Sequence, residues 1–309
     1  MKKDKKKKIK ALVLFSGGLD SILAAKILER QGISVTVLTF VGYFFGVQQA
    51  KKSARENKIK LRIEDFSDEH CKIVRKPRFG RGAGMNPCID CHLLMLREAK
   101  KIAAREKFDI IATGEVLGQR PMSQNREALK LIEREAGLAG KILRPLSAKV
   151  LPVTQAEDIH LVDRKHLCAF QGRSRRGQIE LAKKLGVKKY PSPAGGCILT
   201  DKEYSKKLAE LLGKVKNIKA SDLKLLRLGR HFWSGGTRII LGRNHKENLA
   251  IKKLVEKGDT LIDPQNFPGP TALVRGKNRK AEKLAKEKIL KYAKKAENKE
   301  PKFVAERNF

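Results

Sequence analysis

Residues Ser16–Ser21 combine a tight turn with groups that bind phosphate and metal ions. They read Ser-Gly-Gly-Leu-Asp-Ser, after the apolar run Ala11–Phe15 and before an amphipathic segment from Ile22 onward. This order predicts a buried strand, a glycine turn and a helix whose first amides point at whatever occupies the turn. Such a turn favours an anion, most simply phosphate, while the hydroxyls and the Asp20 carboxylate suit Mg²⁺. The alternative is an ordinary strand–turn–helix corner, which the flanking polar side chains disfavour.

Three cysteines in two glycine-rich stretches give a second chemical signal. Cys88 and Cys91 form a Cys-x-x-Cys motif after the basic, glycine-rich residues 78–84, and Cys197 directly follows the pair Gly195-Gly196. Thiols at a helix start near arginines have a lowered pKa and are more often thiolates, the form that attacks sulfur or binds metal. We therefore expect Cys88 and Cys91 to have lowered pKa values, and the third thiol, on a second loop, is placed as a shared site would need.

Three kinds of site fit these cysteines. In the first, Cys88, Cys91 and Cys197 hold a [4Fe–4S] cluster with one iron left open for an extra sulfide. In the second, Cys88 or Cys91 works with Cys197 as a catalytic pair, in which one thiol carries a persulfide and the other resolves it. In the third, the motif is half of a structural zinc site completed by His92 or Cys197, which the lack of a second Cys-x-x-Cys disfavours.

Alternating strand and helix patterns from residue 10 to about 146 must position these groups. The strands are predicted at residues 10–15, 34–40, 60–63, 109–112 and 142–144, and the helices at residues 21–31, 48–57, 90–107 and 123–135. Alternation of this kind predicts an α/β fold with a doubly wound parallel sheet. Ligands of such sheets bind beyond the carboxyl ends of the strands, where both the Ser16 loop and Gly114 are expected. We therefore count Gly114 among the nucleotide-binding residues.

The net charge of the chain indicates a polyanionic partner. Lys and Arg number 69 against 33 Asp and Glu in 309 residues, a formal charge of +36. A Lys-rich surface of the kind that heat-loving proteins carry predicts Glu enrichment alongside Lys, which the acidic count does not show. The excess therefore favours nucleic acid as the partner.

The remaining features predict a cytoplasmic protein without a membrane partner. No apolar run reaches the length of a membrane span, and the basic first residues lack the apolar core of a secretory signal. Reduced thiols are expected in that compartment, so metal or catalytic roles outrank disulfides. Cys71 and Cys168 lie outside the glycine-rich stretches and are interpreted as core or incidental thiols.

Composition divides the chain into four parts. We predict a basic disordered tail at 1–8, an α/β domain at 9–200, a smaller α+β domain at 201–275 and a basic helical tail at 276–309. The smaller domain includes a hairpin pattern over residues 231–241, which has a glycine-bearing turn, and a helix pattern over residues 244–257.

These motifs together resemble the tRNA thiouridylases of the PP-loop ATP pyrophosphatase superfamily. Ser16–Ser21 matches the SGGxDS signature of the superfamily, and Asn86-Pro87-Cys88-x-x-Cys91 is similar to the element that carries the first catalytic cysteine of tRNA 2-thiouridylases. Gly195-Gly196-Cys197 corresponds to their second cysteine, whereas residues 113–119 look like the 4-thiouridine synthetases. Residues 205–275 resemble, more weakly, a small RNA-binding domain found fused to thiouridylase-like proteins.

The resemblance implies an adenine nucleotide alpha hydrolase-like fold and ATP-dependent thiolation of a tRNA uridine. It implies that ATP and Mg²⁺ bind at Ser16, Gly17, Gly18, Asp20 and Ser21. A uridine oxygen becomes adenylated, and sulfur delivered through Cys88 and Cys197 then displaces AMP. The sulfur donor is a protein or inorganic sulfide, and Arg173, Arg175 and Arg176 are expected to contact RNA phosphates.

Two other functions compete with thiolation. The first is an AMP-forming PP-loop ligase that acts on RNA or a small acid without sulfur transfer. The second is a non-catalytic RNA-binding protein.

Overall fold

The computed structural model describes residues 8–193, 197–293 and 300–308. The chain forms two compact units, Met1–Thr200 and Asp201–Phe309. The tail predicted at 1–8 lies almost wholly outside the described residues, and so does the pair Gly195-Gly196.

The first unit contains a five-stranded parallel sheet. Its strands are β1 (Lys10–Leu14), β2 (Ser34–Val41), β3 (Lys60–Asp65), β4 (Ile110–Thr113) and β5 (Ile142–Leu143), in the spatial order β3-β2-β1-β4-β5. All neighbours pair in parallel, with β1 in the centre between β2 and β4. The strand order reverses between β1 and β4, which makes the loops after these two strands the expected ligand site.

Helices cover both faces of this sheet. They are α1 (Leu19–Arg30), α2 (Gln48–Glu56), α3 (Ser67–Arg75), α4 (Cys88–Glu106), α5 (Arg126–Ala136), α6 (Gln155–Asp158) and α7 (Arg176–Lys184). Alternate residues of β1 point to opposite faces, so Val13 packs with α1 and α7 while Leu12 packs with α4 and α5. The doubly wound α/β prediction is therefore confirmed, with every predicted strand and helix present within a few residues of its expected bounds.

The second unit is built on an antiparallel sheet. Its elements are α8 (Lys202–Lys214), α9 (Ala220–Leu225), β6 (Arg230–Ser234), β7 (Thr237–Leu241), α10 (His245–Lys252), β8 (Thr260–Pro264), β9 (Ala272–Val274), α11 (Arg279–Tyr292) and β10 (Phe303–Arg307). The spatial order is β10-β8-β9-β7-β6, and β6 and β7 form the predicted hairpin. An α+β unit is thus confirmed.

The last part of the chain is packed differently from the predicted solvated tail. The helix expected there is α11, but its residues Ala281, Ala285 and Ile289 are fully buried in the core of the sheet. Strand β10 then pairs antiparallel with β8. Small side chains at four-residue spacing let a Lys-rich helix bury one narrow face, which the overall charge of the segment concealed.

Candidate functional site

The turn after β1 depends on glycine at its second position. Gly17 has φ +79°, and a Cβ atom there would lie 2.8 Å from the Cα of Ala50. The buried hydroxyl of Ser53 donates to the Gly17 carbonyl at 2.7 Å, which fixes the turn against α2. A larger residue at Gly17 would therefore need both a strained backbone and a displaced helix.

The start of α1 leaves its first backbone amides without a side-chain cap. Gly18 is the N-cap residue, and the Ser21 hydroxyl donates to the Gly18 carbonyl at 2.9 Å rather than capping an amide. Uncapped amides at a helix start favour an anion. Gly114 lies against this start, because a Cβ on Gly114 would be 2.7 Å from the Cα of Ser21. Close packing alone thus requires glycine at 114, and its contact with nucleotide stays a prediction.

Asp20 has one oxygen that no side chain satisfies. Its Oδ2 accepts a hydrogen bond from Gln119 Nε2 at 3.2 Å, whereas Oδ1 is buried and has no hydrogen-bond partner. Burial raises the pKa of this carboxyl above its ordinary value, and Gln119, Arg175 and Arg120 oppose that rise. A buried carboxylate oxygen without a partner suits a hard cation, so Asp20 fits the predicted Mg²⁺.

Cys88 and Cys197 are close neighbours although 108 positions separate them in the sequence. Each is half-buried, and burial raises the pKa of both thiols. The charge of Cys197 raises the pKa of Cys88 further, while Asn86 Nδ2 donates to the Cys88 sulfur at 2.9 Å. Arg120 lowers the pKa of both thiols, so this guanidinium lies near each of them.

The third thiol, Cys91, is buried against a histidine. The Nε2 atom of His70 is 2.8 Å from the Cys91 sulfur. The imidazole is fully buried and stacks on Phe66 with ring centroids 5.2 Å apart. Phe44 lies edge-on to it, and Phe45 is tilted against it. Burial lowers the pKa of His70 to about 4, so the ring is neutral at pH 7. This aromatic surround fixes the Cys91 sulfur in one position.

The expected lowering of the thiol pKa values was wrong. Burial raises the pKa of Cys91 most strongly, and the neighbouring charges of Cys197 and Cys88 raise it further. Desolvation of the thiolate outweighs the effect of Arg120 at Cys88 and Cys197, and at Cys91 it acts in the same direction as the neighbouring thiols. The charges of Cys197 and Cys88 act on Cys91, which is consistent with neighbouring thiols, and a shared functional site for the three stays a prediction.

The described side chains do not form a metal-binding set. Within residues 8–193, 197–293 and 300–308, no group of three or more His, Cys, Asp or Glu side chains is arranged to hold a metal ion. The sulfur of Cys91 is instead engaged by His70, and His92, the proposed zinc ligand, bonds through Nδ1 to Glu115 at 2.9 Å. The described residues thus give no support to the predicted cluster or to a zinc site, and both stay predictions.

A buried ion-pair cluster fixes the loop after β4. Glu115 accepts hydrogen bonds from Arg144 Nε and from the Thr113 hydroxyl, each at 2.9 Å. Burial alone would raise the pKa of Glu115, but Arg144, His92 and Thr113 lower it to about 2. Arg144 also pairs with Glu133 on α5. These contacts tie the loop that carries Gln119 and Arg120 to the body of the unit.

The two remaining cysteines take no part in this arrangement. Cys168 packs against the core that contains α1 and α7, and burial raises its pKa. Burial also raises the pKa of Cys71, and the charge of the neighbouring Arg75 offsets part of that rise. The role of either thiol as incidental stays a prediction.

Sequence reasoning missed two residues of the site, His70 and Arg120. Helix α3 was not predicted, although Phe66, His70 and Val74 are buried at four-residue spacing within a polar stretch. That spacing was the available signal for His70. Arg120 gave no such signal, because one exposed arginine in a loop of a chain with 69 Lys and Arg residues is not distinctive.

Comparisons with known proteins match each unit of the structure separately. Residues 7–150 match the family model described as "Thiamine biosynthesis protein (ThiI)", and residues 229–308 match "NFACT protein RNA binding domain". No helix in the described part of the chain is long and apolar enough to cross a membrane.

Curated relatives match a stretch of this chain that is shorter than its first unit. A probable tRNA sulfurtransferase of Finegoldia magna is 32% identical over 143 residues, which are 45% of this chain and 36% of that protein. One of Aeropyrum pernix is 34% identical over 162 residues, 50% of this chain and 39% of that protein. The chain thus spans less than half the length of these curated relatives. The solved NMN synthetase of Francisella tularensis is 14% identical, with a TM-score of 0.36, over 70% of this chain and 82% of that one.

The parallel sheet, the Ser16–Ser21 turn at its centre and the match over residues 7–150 agree with one another. The first unit of the chain therefore combines a parallel sheet and a glycine turn with a match to the ThiI family model over residues 7–150, and the second unit carries a match to the NFACT RNA-binding domain model over residues 229–308.

Proposed function

We propose that the chain is a sulfurtransferase that thiolates a uridine of tRNA after activating the base with ATP. One observation carries the proposal. Burial raises the pKa of Asp20, Cys88 and Cys197, and the guanidinium of Arg120 opposes that rise at each of the three groups. Geometry supports the same grouping: Gln119, the neighbour of Arg120, donates to Asp20 Oδ2 at 3.2 Å, and the Met85 amide donates to the Leu199 carbonyl at 2.8 Å, which joins the stretches that carry Cys88 and Cys197. A reaction that couples ATP to sulfur requires the nucleotide turn and the thiols to be neighbours in this way.

The first step activates the base. The uncapped amides of α1 and the hydroxyls of Ser16 and Ser21 bind the pyrophosphate part of ATP, and Asp20 holds Mg²⁺, which neutralises phosphate charge. A uridine carbonyl oxygen attacks the α-phosphate and releases pyrophosphate. Arg175 supports this role, because its buried Nε has no hydrogen-bond partner and it lies near enough to lower the pKa of Asp20, which burial raises.

The second step transfers sulfur. The outer sulfur of a persulfide on Cys88 or Cys197 attacks the activated carbon, and AMP leaves with the former uridine oxygen. The other thiol then attacks the inner sulfur, which releases thiouridine and forms a disulfide between the two cysteines. A dithiol reductant restores both thiols, and a donor protein that carries a persulfide then transfers its outer sulfur to one of them. Inorganic sulfide takes another route: it attacks the disulfide between the two cysteines directly, which leaves a persulfide on one cysteine and a thiolate on the other. We derive no step through an iron–sulfur cluster, since the described residues do not form its ligand set.

The resolving thiol needs help to ionise, because burial raises the pKa of both Cys88 and Cys197. Arg120 and the Asn86 amide stabilise a thiolate at Cys88, and backbone amides near residues 199 and 200 do so at Cys197. These groups lower the free-energy cost of forming the thiolate that the second step requires.

The test uses the full chain, unmodified tRNA, ATP, Mg²⁺ and a persulfide donor. We expect Cys88→Ser and Cys197→Ala to release pyrophosphate but to form no thiouridine, detected by nucleoside mass spectrometry. Cys168→Ser is the matched control and should behave as wild type. Pyrophosphate release without thiouridine in any protein, wild type included, would favour the AMP-forming ligase.

Two further results would change the proposal. Binding of tRNA without pyrophosphate release would indicate a non-catalytic RNA-binding protein. Stoichiometric iron and sulfide after anaerobic purification, lost in Cys91→Ala, would replace the persulfide route by the predicted [4Fe–4S] cluster.

A further inference from the structure

Strand β6 lies at the edge of its sheet, and both of its faces carry aromatic side chains. It ends the spatial order of its sheet, so one of its sides has no partner strand within the described part of this unit. Side chains alternate along a strand, and Phe232 and Trp233 therefore point to opposite faces. Phe232 packs toward α11, where its ring lies 6.3 Å from that of Tyr292.

Cations lie over these rings on both faces. Arg230 lies over Tyr292 at 4.4 Å and Lys288 over Phe232 at 5.0 Å, measured from the charged group to the ring centroid. On the other face, Lys214 lies over the single tryptophan, Trp233, at 4.7 Å.

Three of the cation–aromatic pairs are concentrated at this strand. They involve β6 or its nearest side chains, a segment of five residues with two helix ends. Both faces of one edge strand therefore combine aromatic rings with positive charge.

The rings are held in place and remain accessible. Glu210 accepts a hydrogen bond from Trp233 Nε1 at 3.2 Å, which orients the indole. Tyr292 is 38% exposed, and Arg230, Phe232 and Trp233 are partly exposed. A fixed aromatic surface loses little conformational entropy when a flat ligand stacks on it.

The charge of the unit identifies the kind of partner. Residues 201–309 contain 28 Lys and Arg against 13 Asp and Glu. Planar groups stacked on aromatic rings and guanidinium planes, beside cations that bind phosphate, are how proteins hold unpaired nucleotides. A duplex offers its phosphates but hides the faces of its bases, so the rings would be useless to it.

We propose that the β6 edge, formed by Arg230, Phe232, Trp233, Lys288 and Tyr292, binds an unpaired stretch of RNA by stacking bases on its rings. The inference rests on the proposed function only in taking RNA as the substrate. It adds that this unit reads single-stranded rather than paired RNA, and that Tyr292 is a stacking residue.

Trp233 makes the surface directly observable, because the chain has one tryptophan. The full chain is titrated with single-stranded oligo(U) and with a blunt RNA duplex of equal length. We expect oligo(U) to quench the Trp233 fluorescence as it saturates the protein and to bind more tightly than the duplex. Tyr292→Ala should weaken oligo(U) binding roughly tenfold, and Tyr292→Phe should restore it.

Charge is tested separately from stacking. Arg230→Gln should weaken binding and reduce the salt dependence of log K by about one unit, whereas the exposed Lys224→Gln on α9 is the matched control. Equal affinity for duplex and oligo(U), or unchanged affinity in both Tyr292→Ala and Arg230→Gln, would overturn the proposal. Thiouridine formation is assayed in parallel: its absence in wild type contradicts the proposed function, whereas unchanged oligo(U) affinity in the variants contradicts only this surface.

Discussion

The two units differ in how certain buried polar atoms are paired. In the first unit, Asp20 Oδ1, Ser123 Oγ, Gln124 Oε1 and Arg175 Nε are among the buried atoms that lack a hydrogen-bond partner within the described residues. In the second, the fully buried Arg238 donates to the Nδ1 atom of His231 and to the carbonyl of Asp222. Native proteins pair nearly all buried polar groups, so the unpaired atoms of the first unit need an explanation.

The proposed substrate would supply that explanation for the atoms near the turn. An unpaired buried polar atom costs about 1–3 kcal/mol, and a structure keeps such atoms where a bound molecule completes them. Asp20 follows β1, and Ser123 and Gln124 follow β4, the two strands at which the sheet order reverses. The first unit thus leaves polar atoms open where a substrate is expected, whereas the second uses its buried polar groups for rigidity and presents its functional groups at the surface.

The largest predicted effect tests the rigidity of the second unit. Arg238→Met should lower the free energy of unfolding by about 3 kcal/mol, since it leaves His231 Nδ1 and the Asp222 carbonyl buried without their donor. Urea unfolding followed by the fluorescence of Trp233, which pairs with residue 238 across β6 and β7, measures the loss. Lys224→Gln should leave the midpoint unchanged. A loss below about 1 kcal/mol would mean that this cluster contributes little rigidity.

Glu115 tests a strongly paired cluster of the first unit. Its folded-state pKa of about 2 lies below the ordinary 4.5, so its ionised form stabilises the fold above pH 4.5, and this contribution disappears as the pH falls toward 2. Each pKa unit corresponds to about 1.36 kcal/mol, so the contribution is on the order of 3 kcal/mol.

Thermal unfolding of wild type and Glu115→Gln, followed by circular dichroism at several pH values, measures this effect. The gap between the two proteins should be widest near neutral pH and should close between pH 4.5 and 2. A gap that stays constant with pH would show that packing of the side chain, rather than its charge, stabilises the loop.

Local sequence patterns predicted the nucleotide turn and the sheet. Strand, glycine turn and helix follow one another within residues 10–30, so periodicity and glycine placement suffice to locate them. The convergence of Cys88 with Cys197 was predictable in outline, because both stretches resembled parts of one family site. The nucleotide-binding and sulfur-transferring roles of these residues stay predictions.

Long-range effects account for what the sequence did not predict. His70 reaches Cys91 only through the packing of α3 on α4, and the thiol pKa values depend on burial that no spacing reveals. The docking of α11 depends on Ala281 and Ala285, and such small side chains give little hydrophobic signal in a Lys-rich segment. Each miss concerns what a side chain is buried against, which is a property of the folded chain.

The smallest predicted change in stability belongs to Asp20, and it is the sharpest test of the contrast between the units. Asp20→Asn keeps the shape of the side chain and an oxygen for Gln119, but removes the charge. Burial raises the pKa of Asp20, so the ionised carboxylate is less favourable in the folded than in the unfolded chain. We therefore expect the free energy of unfolding to stay the same or to rise by up to about 1 kcal/mol.

Activity should respond in the other direction, because the same unpaired oxygen is proposed to hold Mg²⁺. Pyrophosphate release should fall by roughly 100-fold, as when one electrostatic contact to a reacting group is lost. Hydrogen exchange of peptides from β1 measures stability, with the exposed Asp158→Asn as control. A loss of several kcal/mol in Asp20→Asn would make Asp20 a structural residue like Arg238, and stable protein with full activity would remove it from the site. If Asp20→Asn keeps its stability but loses activity, the buried charge of Asp20 serves a ligand rather than the fold.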